Sequence, residues 1–208
     1  MNRRWLITSL VAVGALAFFG SRAVSQDEGN PAGNGDDPMK AMMEAYVKMS
    51  APGDAHKKLE PMIGEWESHT KIFMAGPGGP AMESKGTTTN KWVLNGRFVL
   101  TEHKGMMMGM DHEGIGLTGY DTIRNMYVGA WADNVNSFLL TMKGTVDHKT
   151  GKVFTMYGEM DEPMLKVYGR WVKYVTRIID NDKHVFEIYD LHAAEDYKVL
   201  EITYTRKK

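Results

Sequence analysis

Two hydrophobic periods divide the chain into a short helical part and a long part made of strands. Over Met39–Val47 the apolar residues recur every three or four positions, which is the spacing of an amphipathic helix. This helix is predicted to begin at Asp37-Pro38, where a capping carboxylate precedes a proline, and to end before Pro52-Gly53. Asp54 is expected to cap a second short turn that reaches Leu59.

From Gly64 onward apolar and polar residues alternate, as they do in half-buried strands. The alternation predicts ten strands, over Glu65–Ile72, Met82–Leu94, Arg97–Gly105, His112–Tyr120, Met126–Asp133, Asn136–Val146, Lys152–Met160, Leu165–Ile179, His184–Leu191 and Tyr197–Arg206. The connections are short and rich in Gly, Pro, Asn and Asp, and Asn95-Gly96 is typical of a two-residue hairpin turn. Parallel strands need crossovers of about a dozen residues or more, which these turns do not supply. The predicted fold class is therefore all-β, a ten-stranded antiparallel up-and-down barrel preceded by one amphipathic helix, because closure removes exposed sheet edges.

The residues before this domain read as an export signal and a leader. Arg3 and Arg4 precede an apolar run over Trp5–Phe19, and Ala23-Val24-Ser25 supplies the small residues of a cleavage site. The run is shorter than the roughly 20 apolar residues that a bilayer-spanning helix needs. We therefore expect residues 1–25 to be a signal peptide cleaved near Ser25, which makes the protein periplasmic or extracellular and leaves it without a transmembrane anchor. Residues 26–37 are expected to be a disordered, acidic, Gly-rich leader, and residues 38–208 a single domain.

Composition and missing motifs narrow the function classes. The 208 residues include 25 Lys and Arg, 26 Asp and Glu and no cysteine, and the formal net charge is −1. The balanced charge argues against a nucleic-acid partner, and the absence of cysteine excludes disulfides, thiolate metal sites and a thiol nucleophile. The sequence has no nucleophile elbow, phosphate loop, zinc-protease motif or dinucleotide-binding glycine motif. These facts predict no cofactor and favour a binding protein, while catalysis remains open.

Short motifs in nearly every strand carry a family resemblance. Gly64-Glu65-Trp66 resembles the Gly-x-Trp motif of lipocalins and related calycin barrels, and Arg206 is placed like the basic residue that covers that tryptophan. The wider chain resembles the bacterial secreted family named domain of unknown function 1579, through Gly64-Glu65-Trp66-Glu67, Asn95-Gly96-Arg97-Phe98, Met106 to Gly114, Thr118-Gly119-Tyr120-Asp121, Gly158-Glu159-Met160, Phe186-Glu187-Ile188-Tyr189 and Glu201 to Arg206. The resemblance covers the chain from Pro38 to the C-terminus. It implies a calycin-like barrel and no particular activity.

The leading functional hypothesis is that a small, largely apolar molecule or lipid binds in the barrel lumen. The candidate contacts are the aromatic and polar residues Trp92, Arg97, Tyr120, Trp131, Tyr174, Glu187 and Tyr189. If Asn181-Asp182 is a two-residue turn, Tyr174 lies opposite Tyr189, on one strand face with Arg170 and Glu187. This face is equally compatible with the lumen and with solvent.

Two alternatives use other residues. A hydrolase or isomerase would need a carboxylate pair from Glu102, Glu113, Glu187 and Glu201, although carboxylates on strands usually face solvent. A Cu(I) site could be formed by the thioether and imidazole donors His103, Met106, Met108, Met110 and His112, since the two histidines could meet across the hairpin. The same methionines are also suited to an apolar flap over the barrel mouth.

Glycines punctuate the predicted fourth strand, at Gly114, Gly116 and Gly119. A glycine within a strand marks a bend or the close approach of another group to the backbone. In a barrel these positions are interpreted as sites of curvature, with contact to a ligand as the alternative.

Overall fold

A computed structural model describes residues 37–163 and 166–208, so the predicted signal peptide and all but the last residue of the predicted leader lie outside the described residues. Within these two ranges, ten antiparallel strands follow one another in chain order and close into a barrel through pairing of the first strand with the last. The strands are β1 Gly64–Ile72, β2 Met82–Val93, β3 Phe98–Met107, β4 Met110–Asp121, β5 Met126–Asp133, β6 Leu140–Val146, β7 Val153–Glu162, β8 Val167–Ile178, β9 Lys183–Asp190 and β10 Lys198–Arg206. The predicted fold class is confirmed.

Helical structure precedes the barrel. Helix α1 spans Pro38–Met49, and helix α2 spans Asp54–Lys57. The cap of α2 is Gly53 and not the expected Asp54, because His56 Nδ1 accepts a hydrogen bond from the Gly53 N–H at 3.1 Å. No helix among the described residues is long and apolar enough to cross a bilayer.

Residues 54–62, which comprise α2 and a 3₁₀ turn, close one end of the barrel, and we call this segment the plug. Leu59 of the plug is fully buried in the hydrophobic core. The Tyr127 hydroxyl donates to the Ala55 carbonyl at 2.8 Å, and Trp92 Nε1 donates to the Glu60 carboxylate at 2.7 Å. We refer to the end that holds these contacts as the plug end and to the opposite end, which carries the β3–β4 hairpin, as the distal end.

The hydrophobic core is formed by inward-facing residues of most strands together with Leu59. Its fully buried aromatic members include Tyr127, Phe154 and Tyr174, and the rings of Tyr127 and Phe154 meet edge to face with centroids 4.9 Å apart. Edge-to-face contacts of this kind stabilise a core beyond the area that they bury. The core therefore anchors the plug and the strands around it as one unit.

Two loops differ from the predicted turns. The β2–β3 connection has four residues, and Leu94, Asn95 and Gly96 all have positive φ, so the expected two-residue turn at Asn95-Gly96 is wrong. In the β8–β9 connection the N–H groups of Ile179 and Asp180 both donate to the Lys183 carbonyl. This irregularity inserts a residue, so the predicted turn at Asn181-Asp182 is also wrong, and the register shifts by one.

The first and last strands are joined by Arg206, whose guanidinium lies over the Trp66 ring with Cζ 4.2 Å from the ring centroid. Trp66 is fully buried, and its Nε1 donates to the Met62 carbonyl at 2.9 Å. Arg206 donates to the carbonyls of Ile63, Pro61 and Asn181 at 2.8, 3.1 and 2.7 Å. The expectation that Arg206 covers the tryptophan is confirmed. Arg206 also anchors the end of the plug through the Pro61 and Ile63 carbonyls.

Replacing Arg206 with Ala should lower the free energy of unfolding by about 2 to 4 kcal/mol, because three carbonyls lose a charged donor and Trp66 loses a cation–π partner. Urea unfolding followed by tryptophan fluorescence measures this change. Arg206→Lys should recover only part of the loss, since an ammonium lacks the planar fork of donors. Lys207→Ala, at the exposed neighbouring position, is the matched control and should unfold like the unaltered protein. Equal stability of Arg206→Ala and Lys207→Ala would contradict the assigned role.

Candidate ligand site inside the barrel

Two histidines face the interior in the distal half of the barrel. Directly paired residues share a sheet face, and the register pairs Trp66 with Thr88, Thr88 with His103, and His103 with Gly114. His112 lies two residues before Gly114 on β4, so it faces inward as well. The His103 and His112 rings are 5.3 Å apart between centroids, and both side chains are buried. The sequence expectation that these two histidines meet across the hairpin is confirmed.

Two glycines leave room for neighbouring rings: Gly114 for the ring of Trp131 and Gly86 for the ring of His103. A Cβ on Gly114 would come within 2.1 Å of Trp131 Cζ2, and a Cβ on Gly86 within 2.8 Å of His103 Cε1. Real Cβ atoms essentially never make such contacts, so both positions require glycine as long as the rings stay in place. Gly114 therefore accommodates a neighbouring ring, which is the close approach that the sequence pattern allowed, made here by the protein itself. The arrangement keeps bulky rings from projecting into the lumen.

His103 is held neutral by burial. Burial lowers the pKa of His103 to about 4, and the nearby His112 acts in the same direction. His103 Nδ1 is 2.9 Å from the Thr88 hydroxyl, which can donate to it or accept from it. At neutral pH this site therefore presents an uncharged imidazole.

Asp133 is the carboxylate of this cluster. Burial alone would raise its pKa, but hydrogen bonds from Trp131 Nε1 and from the backbone N–H groups of Asn136 and Val135 outweigh burial and lower the pKa. Its Oδ2 lies 3.6 Å from His112 Nε2, which is too far for a hydrogen bond. The carboxylate is thus ionised and already occupied by donors.

Two buried polar atoms of the cluster have no hydrogen-bond partner within residues 37–163 and 166–208. They are His112 Nε2 and Ser68 Oγ. Buried polar groups in folded proteins are nearly always hydrogen-bonded, so such atoms require an explanation. Both lie on the inward face next to Gly86 and Gly105, which Ser68 and His112 respectively pair with.

A second polar group faces the interior from β8 and β9. Arg170 Nη1 donates to Asp190 Oδ2 at 2.7 Å, and Asp190 is buried. Arg170 pairs with the inward Met160, and its Nε is buried without a partner in the described part of the chain. Both residues lie toward the distal end of their strands.

The predicted ligand contacts are divided between different parts of the barrel. Trp131 lies beside the histidine pair, with its ring 6.4 Å from His103 and 6.3 Å from His112. Trp92 and Tyr120 belong to the plug end, where Trp92 binds Glu60 and the Tyr120 ring contacts His56. The remaining inward residue of the predicted set, Tyr174, is fully buried, and burial raises its pKa to about 12.

Arg97, Glu187 and Tyr189 lie outside the lumen. Arg97 is in the β2–β3 loop at the plug end. The extra residue in the β8–β9 connection pairs Tyr174 with Ile188, so Glu187 and Tyr189 have the opposite orientation and the predicted shared face is wrong. Tyr189 lines an outer groove of about 420 Å³ between β7, β8 and β9.

The four glutamates of the acid/base alternative all lie at outward positions. Glu102 and Glu113 are exposed and bind Lys91 and Lys104. Glu187 and Glu201 pair with each other across β9 and β10, and Lys198 binds both. Burial would raise the pKa of Glu187, but hydrogen bonds from Lys198 and Arg177 lower it. The expectation that these glutamates are cavity carboxylates is therefore wrong.

The five candidate copper ligands separate into two groups. Met106, Met108 and Met110 are exposed on the β3–β4 hairpin, whereas His103 and His112 are buried in the interior. Strand alternation places Met106 and His103 on opposite faces of β3. The described residues contain no group of three or more His, Asp or Glu side chains arranged to hold a metal ion.

Sequence reasoning missed the neutral polar members of the interior. Ser68 and Thr88 occupy positions where a strand facing a core normally carries apolar residues, so they read as ordinary hydroxyl residues of a half-exposed strand. One signal in the sequence could have identified Ser68. Trp66, Ser68 and Thr70 stand at alternating positions of β1, so the face of the tryptophan is also the face of Ser68.

The family model described as "Protein of unknown function (DUF1579)" matches residues 51–206. The chain belongs to the DUF1579 family. The match begins after α1 and includes the plug and every strand of the barrel. No curated protein matches this DUF1579 member in sequence.

Solved structures similar to this DUF1579 protein have low sequence identity to it. The crystal structure of Rv2717c from M. tuberculosis has a TM-score of 0.53 and 14% identity, over 76% of this chain and 100% of that chain. The structure of EF1p2_mFAP2b bound to DFHBI has a TM-score of 0.39 and 10% identity, over 74% and 100%. A redesigned β-barrel has a TM-score of 0.30 and 14% identity, over 74% and 96%. The likeness to Rv2717c concerns the fold alone.

Acidification should destabilise the protein through the buried histidines. His103 and His184 have pKa values lowered to about 4 and about 3 by burial, whereas an unfolded chain takes up these protons near 6.5. Unfolding therefore binds protons below about pH 6.5, and stability falls as the pH decreases through that window. The urea midpoint measured between pH 7.5 and pH 5 should decline. His103→Asn, which retains a hydrogen-bonding group near Thr88, should reduce the slope; an unchanged slope would contradict the assignment.

Proposed function

We propose that this protein binds a small, largely apolar molecule in the distal half of the barrel interior. The observation that carries the proposal is the pair of inward histidines, of which His103 is held neutral, together with the unpartnered His112 Nε2 and Ser68 Oγ. A bound molecule with one hydroxyl, carbonyl or amine group would supply the missing hydrogen bonds. Satisfying such atoms is favourable because a buried polar group without a partner costs about 1 to 3 kcal/mol.

Apolar surface near these groups supports the same proposal. The inward residues Trp131, Leu140 and Met142 are only half-buried, whereas Phe154 and Val172 deeper in the core are fully buried. Partial exposure of inward side chains means that space adjoins them. A ligand that covered this surface would gain about 25 cal/mol for each Å² of apolar area removed from water.

The interior favours a neutral molecule over a strongly charged one. His103 is uncharged at neutral pH, Asp133 is already bound by donors, and Arg170 is paired with Asp190. A charged ligand would lose its hydration without gaining a free partner of opposite charge. A lipid or other apolar molecule with a neutral polar group fits this environment.

Blocking the lumen tests the proposal. Thr101 is inward and half-buried, and it pairs with Gly116, so Thr101→Phe should fill space beside the histidine pair. With the uncharged fluorescent probe N-phenyl-1-naphthylamine, whose aromatic rings report apolar sites, the variant should bind at least tenfold more weakly than the unaltered protein. Native mass spectrometry of protein purified from its own host should also show a co-purifying small molecule that Thr101→Phe lacks.

The matched control is Thr89→Phe, which adds the same side chain at an exposed outward position of the adjacent strand. It should bind the probe as well as the unaltered protein. Equal probe binding by Thr101→Phe and Thr89→Phe, with both proteins folded, would place the probe outside the lumen and reject the proposal.

We also propose that the protein is exported, on the basis of the sequence of residues 1–25. After expression in a bacterial host, the mature protein should be recovered from the periplasm or medium with an N-terminus near Gln26. Replacing Ala23 with Arg removes a small residue at the cleavage site and should leave the precursor uncleaved. Recovery of the full-length chain from the cytoplasm in both cases would contradict export.

A further inference from the structure

Three methionines line a pocket on the distal rim of the barrel. The pocket has a volume of about 350 Å³ and is lined by Met82 from β2 and by Met106 and Met108 from the β3–β4 hairpin. Ile72 and Glu83 also line it. The pocket lies at the rim, so it is separate from the interior histidine pair.

Strand pairing explains why Met82 lies near the hairpin that carries Met106 and Met108. Strand β2 pairs with β3 up to Gly86 opposite Gly105, and both strands continue beyond this point toward the distal end. That continuation brings the start of β2, at Met82, beside the tip of the hairpin. Met108 has a φ of 52°, so the chain turns sharply at the tip and carries its side chain to the pocket.

All three side chains remain accessible. Met82, Met106 and Met108 are 44%, 42% and 50% exposed, so an ion can reach the sulfur atoms without opening the fold. Methionine side chains are unbranched and flexible, which allows three thioethers to adjust around one ion. The backbones of β2 and of the β3–β4 hairpin fix the Cα positions of the three methionines.

The donor set and charge of the pocket select a soft, singly charged ion. Thioether sulfur favours Cu(I) over magnesium and calcium, which bind oxygen ligands, and over zinc, whose sulfur ligands are thiolates. Glu83 is paired with His69 at 2.8 Å and with Lys71 at 3.8 Å, and the exposed Lys85 also lines the pocket. A hard dication would therefore find no unpaired carboxylate there.

We propose that Met82, Met106 and Met108 form a Cu(I)-binding site at the distal rim. This set differs from the one that the sequence indicated, because it includes Met82 and excludes Met110, His103 and His112. Each sulfur contributes one lone pair to the ion, and the step involves no change of oxidation state. The site is independent of the proposed ligand site in the lumen, so either proposal can fail without the other.

An anaerobic titration tests the site, with Cu(I) supplied as its bicinchoninate complex and withdrawal of copper followed by the loss of that complex's colour. The purified protein should withdraw one equivalent, and Met82→Leu and Met106→Leu should each weaken binding at least tenfold. These substitutions nearly conserve volume, so the variants should keep the thermal unfolding midpoint of the unaltered protein. Zn(II), supplied in place of copper, should not bind at the rim.

Met110→Leu is the matched control, since it removes a thioether of the same hairpin that does not line the pocket. It should bind copper like the unaltered protein. The proposal is overturned if the protein withdraws no copper, if Met82→Leu binds as tightly as the unaltered protein, or if Met110→Leu weakens binding as much as Met106→Leu. X-ray absorption of the copper complex should show sulfur ligands. Nitrogen ligands would indicate that the histidines bind the ion and would reject the rim site.

Discussion

The fold depends on the stacking of Arg206 on Trp66, because this one side chain connects the last strand to the first strand, to the plug and to the β8–β9 loop. One guanidinium covers the buried indole, binds two carbonyls at the end of the plug and reaches the β8–β9 loop. A guanidinium is suited to this position because its planar fork serves several acceptors at once while its face rests on an aromatic ring. Closure of the barrel, position of the plug and burial of Trp66 therefore depend on the same side chain.

The strand alternation was enough to predict the barrel, because its period of two is long and regular and the turns are too short for crossovers. The register of the last hairpin was not predictable in the same way. It depends on whether the residues around Ile179 and Asp180 form a two-residue turn or a longer irregular one, and both choices use the same turn-forming residues. An error of one position there moved Glu187 and Tyr189 from the lumen to the outer face.

The interior site was predicted only in part. His103 and His112 were expected to meet, because a hairpin brings nearby positions of β3 and β4 together, and they do. Their burial beside Ser68 and Thr88 depends on pairings among four strands, and no local pattern distinguishes a hydroxyl residue facing a lumen from one facing water. The position of Met82 at the same pocket as the hairpin methionines likewise depends on strand pairing between distant segments.

The topology has a consequence for how the chain folds. Nine of the ten strand pairings in the described barrel join neighbours in the sequence, and only the pairing of β1 with β10 joins its two ends. The hydrogen bonds from Arg206 to Ile63 and Pro61 join residues 143 and 145 positions apart, and closing so long a segment carries a large loss of chain entropy. Long-range pairings of this kind slow folding, since the entropy is lost before the contacts compensate for it. The meander can therefore assemble hairpin by hairpin as an open sheet with two free edges, and the meeting of those edges is the late and slow event that commits the chain to a closed barrel.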